Sequence, residues 1–253
     1  MDIQTFNIIL YVMLFAAIIV FILLYFIDAG YGMFNNGKWG KSINNKLGWF
    51  IMEVPVFFVL ICMWLLSDRK QMPVPTLMVS LMLIHYFQRA FIFPFLFKSN
   101  SKMPVAIMSM GILFNLLNAS LQGGWILYLS PVNMYTTDWL SDPRFIIGVL
   151  MFFMGMVINL HSDHVIRKLR KPGDNRHYLP EKGLYKYVTS ANYLGEIIEW
   201  VGFAILTWSL AGVVFAVWTC ANLIPRANSI YIKYKNEFGN KIGNRKRIIP
   251  FLY

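Results

Sequence analysis

Apolar residues run almost unbroken through seven stretches, approximately 6–27, 50–67, 74–97, 104–129, 145–163, 190–208 and 211–226, and polar residues collect between them. A run of about 18 or more apolar residues can cross the hydrocarbon of a bilayer as a helix, where the backbone must satisfy its own N–H and C=O groups. The pattern predicts an all-α integral membrane protein with seven transmembrane helices. The last two stretches are short and joined by almost nothing, which predicts a tight helical hairpin. The first lacks a basic flank and is long enough to span, so it reads as a retained helix rather than a leader. No solenoid-period repeat or long linker interrupts the series, and residues 1–253 read as a single membrane domain.

Composition agrees with this class, since 57% of the residues are hydrophobic and only 14% are charged. The net charge of +11 would suggest a nucleic-acid partner in a soluble protein, but its distribution argues otherwise. Lys and Arg collect in or beside 28–48, 98–103, 164–189 and 227–253, which are read as inner loops and tail. Of the 23 Lys and Arg residues, only Arg69, Lys70 and Arg144 lie on the other side, and Arg89 lies within a helix. The positive-inside rule then places the N-terminus outside and the C-terminus in the cytoplasm. The expected partner of the basic side is membrane lipid, with no nucleic acid and no obligate protein partner. Cys62 and Cys220 fall in apolar runs, so no disulfide or metal framework is expected.

Ionisable groups inside a bilayer are costly and mark cavities or partners. Here they are Glu53, His85, Arg89, His161, Asp163, His164, Glu196 and Glu199. In "INLHSDHVIRKLRKPGD" the residues Asn159, Asp163, Arg167 and Arg170 fall at i, i+4, i+8 and i+11, on one helical face. Acceptors at depth and guanidinium forks at the surface suit a long ligand with a polar head and phosphates. The plainer alternative is an inner-leaflet anchor with Asp163 paired to Arg167. In "TSANYLGEIIEWVGF" a second stripe carries Asn192, Glu196 and Glu199 at i, i+4 and i+7. Two such stripes could enclose a pocket opening to the basic side, with Glu199 bracing an arginine behind it. Glu53 precedes Pro55, where a helical kink could present its carboxyl to a cavity, and Tyr86 could add a second hydrogen-bond donor.

Other motifs lead nowhere. "GMFNNGKW" (32–39) ends in Trp39 where a phosphate-binding loop needs Ser or Thr, and reads as a flexible inner loop. No G-x-G-x-x-G is present, so no dinucleotide is expected on a Rossmann turn. Four histidines are too few for a membrane di-iron centre, and no metal is expected.

The segments "NLHSDHVIRKLRKPGD", "GLYKYVTSANYLGEIIEW" and "RKRIIPFLY", with "WFIMEVPVFF" and "LIHYFQRAFIFPFLF" earlier in the chain, resemble the steroid 5α-reductase family (3-oxo-5α-steroid 4-dehydrogenases). The resemblance implies an NADPH-dependent reductase of the double bond in 3-oxo-Δ4 steroids, which reach it from the lipid phase. It implies that Glu53 and Tyr86 hold the C3 ketone and that Trp49 lines the substrate cavity. By the same likeness Asn159, Asp163, Arg167, Arg170, Asn192 and Glu196 contact the cofactor, with Arg89 and Tyr234 as further contacts. Residues 1–103 would mainly build the substrate cavity, and 104–253 the cofactor side. Met52 stands where familiar animal members carry Gln, Ile230 falls where they have a histidine-rich run, and His177-Tyr178 differs from their Tyr-Arg. Alternatives are a reductase of a non-steroid enone or enoyl lipid, a membrane methyltransferase and a non-enzymatic sterol carrier. The compartment would be the endoplasmic reticulum membrane in a eukaryote or the inner membrane in a bacterium.

Overall fold

The structure is a computed structural model that describes residues 1–174 and 176–253. Its α-helices are α1 (Ile3–Leu23), α2 (Asn45–Leu66), α3 (Pro73–Phe87), α4 (Val105–Gly124), α5 (Pro143–Lys168), α6 (Ala191–Thr207) and α7 (Leu210–Phe238). Local chemistry sets their ends. The Asp2 side chain accepts from Thr5 N at 2.8 Å to cap α1, and Asp142 caps α5 just before Pro143. Between α6 and α7 the backbone turns through Trp208 at φ 45°, and Ser209 Oγ accepts from Gly212 N at 3.0 Å. This is the expected hairpin.

Among the described residues, six helical segments are long and apolar enough to cross a membrane: Ile3–Leu23, Asn45–Leu66, Pro73–Leu96, Val105–Leu129, Pro143–Lys168 and Leu210–Ile242. The seventh expected span, α6, has only 17 residues. It lies between α5 and α7 with Gly195, Glu199, Trp200 and Gly202 packed inward, so protein rather than lipid surrounds much of it. The final span is longer than its apolar run suggests. The chain expected to be loop and tail after 226 stays helical to Phe238, because it contains no breaker until Gly239, at φ 55°.

Trp200 sits at the centre of the bundle, its ring 4.4 Å from Phe215 and 6.1 Å from Phe152 between centroids. Helix α1 stands outside this core and packs on α7 through Phe6, Leu10 and Met13, with Trp218 Nε1 donating to Met13 O at 2.8 Å. The expectation of an all-α chain misses one small element. Strands β1 (Ser42–Asn44) and β2 (Lys102–Pro104) pair antiparallel and hold the starts of α2 and α4 side by side.

The 32–39 loop, expected to be flexible, is tied down. Asn35 Nδ2 donates to Lys102 O at 3.0 Å and Lys233 Nζ to Met33 O at 2.6 Å. Arg226, buried on α7, donates to Ala29 O and Tyr31 O and lies 3.6 Å from the centroid of the Tyr31 ring. Single-sequence spacing does not reveal these long-range contacts.

Candidate active site

Four glycines at seven-residue spacing create the polar centre. Gly148 and Gly155 on α5 face Gly202 and Gly195 on α6, backbone against backbone. A Cβ on Gly202 would stand 2.6 Å from Phe152 N and 2.7 Å from Gly148 O, so only glycine permits this approach. The seam lays the two polar stripes together. Asn159 Nδ2 donates to Asn192 O at 3.0 Å, and Asn192 Nδ2 donates to Asp163 Oδ1 at 3.2 Å. The Tyr185 hydroxyl donates to Asn192 Oδ1 at 3.2 Å. Burial of Tyr185, outside the spans, pushes its phenol well above the ordinary range and keeps it a donor.

Arg89 joins this wall from the other half of the molecule. Helix α3 loosens into a π-helical turn at Gln88–Ile92, a departure frequent at functional sites. Arg89 within it lies 3.8 Å from Asp163 Oδ2 and 4.0 Å from Glu196 Oε2. Its guanidinium also covers Phe93 at 4.3 Å and Trp49 at 5.0 Å from the ring centroids. Trp49 is thus an aromatic support of Arg89. The plain Asp163–Arg167 anchor is not what forms, since Asp163 turns to Asn192 and Arg89.

A cavity of about 580 Å³ opens beside this wall, within the usual size range of ligand pockets. Asp163, Arg167, Arg170, Lys98, His177 and Asn45 are among its lining residues. Three buried atoms of residues on that lining find no hydrogen-bond partner among the described residues: Asp163 Oδ2, Arg167 Nη1 and Asn45 Oδ1. Buried polar atoms are rarely left unpaired, so the cavity is built for a polar ligand, and its arginines fit phosphate groups. A nicotinamide dinucleotide therefore suits the residues present. Asn192 and Glu196 stand behind this lining, Asn192 through its bond to Asp163. Tyr234 is buried on α7, with its ring 5.6 Å from Phe238 between centroids.

The loop after α5 closes on itself near the cavity. Arg170 Nε donates to Arg176 O at 3.1 Å, and Lys98 Nζ donates to Arg170 O at 3.0 Å. Hydrogen bonds from the Arg176 guanidinium and the Tyr178 hydroxyl hold the Asp174 carboxyl well below the usual carboxylate range. His177 pairs with Glu237 at 2.9 Å.

Glu53 on α2 and Tyr86 on α3 are both buried, and α4 ties them together. Pro55 removes one backbone donor from α2, and in the turn before it Asn115 Nδ2 donates to Met52 O at 2.8 Å and to Glu53 Oε2 at 3.2 Å. One turn further, Asn118 Nδ2 lies 3.5 Å from Tyr86 Oη, and Gln122 Nε2 donates to Asn118 Oδ1 at 3.2 Å. Residues 115, 118 and 122 form an i, i+3, i+7 stripe that the sequence reading passed over. Its signal was legible as spacing, but uncharged amides draw less notice than carboxylates. Glu199, expected to brace an arginine, instead lies 2.7 Å from His85 Nδ1. The His85 ring stands 4.5 Å from Trp200 and 5.1 Å from Tyr86 between centroids.

A buried carboxyl and a buried phenol share one helix as neighbour, in a helical membrane bundle that also holds a charged cavity. That arrangement defines a helical membrane protein with a cavity suited to a polar ligand and two buried side chains able to hydrogen-bond an oxygen. Comparison with known proteins supplies the family. The family model for 3-oxo-5-alpha-steroid 4-dehydrogenase matches residues 101–253. The chain is 37% identical to 3-oxo-5-alpha-steroid 4-dehydrogenase 1 of Mus musculus, over 94% of this chain and 93% of the relative. It is 38% identical to steroid 5-alpha-reductase DET2 of Solanum lycopersicum, over 100% of this chain and 98% of the relative. To the Homo sapiens 3-oxo-5-alpha-steroid 4-dehydrogenase 1 it is 39% identical, over 82% of this chain and 80% of that one. The chain belongs to the 3-oxo-5-alpha-steroid 4-dehydrogenase (steroid 5-alpha-reductase) family, oxidoreductases acting on a CH–CH bond of steroids.

Proposed function

We propose that this protein reduces the Δ4 double bond of 3-oxo-Δ4 steroids to 5α-3-oxosteroids, with NADPH as the cofactor. Identity is about as high to the tomato relative, 38%, as to the mouse relative, 37%. The function proposed is therefore the 5α-reduction common to the names of both relatives. The observation that carries it is the buried pair Glu53 and Tyr86, both tied to α4, in a chain whose charged cavity has unpaired polar atoms on its lining.

NADPH, when bound, supplies the hydride that is added at C5. Arg167 and Arg170 serve its phosphates, while Asn159, Asp163, Asn192 and Glu196 form the amide- and ribose-facing wall, with Arg89 and Tyr234 as further contacts. As the conjugated double bond is reduced, negative charge develops on the C3 oxygen. Glu53, holding a proton, and Tyr86 both donate hydrogen bonds to that oxygen. Because the charge is larger in the transition state than in the substrate, these donors accelerate the step more than they tighten binding. The C4 proton comes from water or a pocket group. Trp49 and the apolar faces of α2 and α3 exclude water around ring A.

The steroid enters from lipid and the cofactor from the basic, cytoplasmic side. This frame has seven passes, N-terminus out and C-terminus in, with α6 crossing inside the bundle. Residues 1–103 chiefly serve the steroid and 104–253 the cofactor. The protein sits in the endoplasmic reticulum membrane of a eukaryote or the inner membrane of a bacterium, with lipid rather than nucleic acid or an obligate protein as its partner.

The test is product analysis after incubation with NADPH and a labelled Δ4-3-ketosteroid. A 5α product is expected, and Glu53→Gln or Tyr86→Phe should lower turnover by on the order of a hundredfold. Reduction of an enoyl thioester with no 5α steroid formed, or unchanged turnover in both variants, overturns the reading.

A further inference from the structure

The amide stripe on α4 has no part in the reaction as described above, yet its hydrogen bonds run in one enforced direction. An amide can present either oxygen or nitrogen to a neighbour, and here the choice is made from one end. Ala211 O, at the start of α7, can only accept, so Gln122 turns Nε2 to it at 2.8 Å. A second N–H of the same nitrogen meets Asn118 Oδ1 at 3.2 Å. Asn118 then has Nδ2 left for Tyr86, 3.5 Å from Oη. Reversing either amide would set oxygen against oxygen or nitrogen against nitrogen. Gln122 Oε1 is buried without a hydrogen-bond partner, a cost incurred by this orientation. Asn115 is fixed in the same sense, because Met52 O and Glu53 Oε2 both call on its nitrogen, at 2.8 and 3.2 Å.

We propose that Asn118, oriented by Gln122, is a positioning residue that makes the Tyr86 oxygen accept a hydrogen bond, so that its phenolic proton is directed to the steroid C3 oxygen. Asn115 acts alike at Glu53: it occupies Oε2 as a donor and leaves Oε1 to carry the proton presented to the same oxygen. The proposal rests on the reading of Glu53 and Tyr86 as the pair that holds the C3 ketone. No α4 side chain then competes with the substrate for either proton. The polarity is set by a backbone carbonyl two amides away from the phenol. Losing one such link should cost about tenfold, the scale of one net hydrogen bond.

The experiment is a double-mutant cycle on the full-length protein, with Asn118→Leu and Gln122→Met each made alone and with Tyr86→Phe. Asn118→Leu alone should lower kcat about tenfold and raise KM by a smaller factor, and Gln122→Met should have the same effects in lesser degree. Neither should lower it further once the phenolic proton is gone in Tyr86→Phe. Equilibrium binding without cofactor gives a second readout: both variants should lose preference for a 3-oxo steroid over its 3-deoxy counterpart. If Asn118→Leu fails to fold, Gln122→Met carries the test, since it leaves Asn118 in place. Effects that multiply with those of Tyr86→Phe, or an unchanged steroid preference, overturn the proposal. Unchanged turnover in Tyr86→Phe alone would instead overturn the reading of the site, so the two failures are distinguishable.

Discussion

Replacing Gly195 by Ala tests whether backbone contact between α5 and α6 builds the cofactor wall. The new Cβ would lie 2.7 Å from Gly155 O and 2.9 Å from Asn159 Cα, whereas ordinary contact begins at 3.4 Å. These atoms and Asn159 N, nearer still, are all backbone and cannot rotate aside, so the seam must open by about 1 Å. That shift takes the Asn159–Asn192 and Asn192–Asp163 hydrogen bonds, now 3.0 and 3.2 Å, past the 3.5 Å limit. At about 1 kcal/mol each, their loss weakens NADPH binding by about thirtyfold. Overpacking removes a further ~1–3 kcal/mol of folding stability. Detergent-solubilised variants should be compared by cofactor titration and thermal melting. Gly124→Ala is the matched control, because its Cβ would meet Phe6 Cε2 at an ordinary 3.7 Å. Wild-type NADPH affinity and melting temperature in Gly195→Ala would refute the reasoning.

Arg167→Met should weaken NADPH binding about tenfold or more, while the cofactor-free protein keeps or gains stability, because a buried guanidinium nitrogen without a partner is removed; equal Kd values by titration calorimetry would rule this out. At the N-terminal end of α5, hydrogen bonds from Arg144 lower the Asp142 carboxyl from its usual 3.8 to about 2. Its folded-state value is depressed, so its contribution is fully present above pH 3.8 and is lost as pH falls through about 2. Asp142→Asn should flatten this part of an acid melting curve, and superimposable profiles for the two proteins would show that the cap contributes nothing.

Hydropathy exposed the helices because each buries a continuous apolar surface, and the stripe residues because a carboxylate or guanidinium stands out in such a run. Helix α7 was cut short at 226 because its last turns, through Lys233, Lys235 and Glu237, are too polar to register as a span. Helicity there depends only on the lack of a breaker before Gly239. Helix α6 registered as a span, although its 17 residues make it a packed element more than a lipid-facing one. The β1–β2 pair joins residues about sixty positions apart, and no local pattern announces it. The Asn159 and Asn192 stripes were legible as neighbours by chemistry, but what brings them together is Gly148, Gly155, Gly195 and Gly202, whose spacing was visible and unread. Glu199 shows the limit of charge reasoning alone. It is expected to brace an arginine, and a histidine on α3 is its partner at 2.7 Å.

The glycine seam also separates two kinds of evolutionary freedom. Because backbone atoms set the distance between α5 and α6, no side chain on the outer face of α5 contributes to it. Ile147, Leu150, Met154 and Val157 are exposed on that helix, and they can drift among apolar side chains of any size as the surrounding lipid changes. Adaptation to a thicker, thinner or more fluid bilayer is thereby decoupled from the spacing that joins Asn159, Asn192 and Asp163. The seam glycines carry the opposite burden, since a Cβ at any of the four would press on backbone atoms of the facing helix.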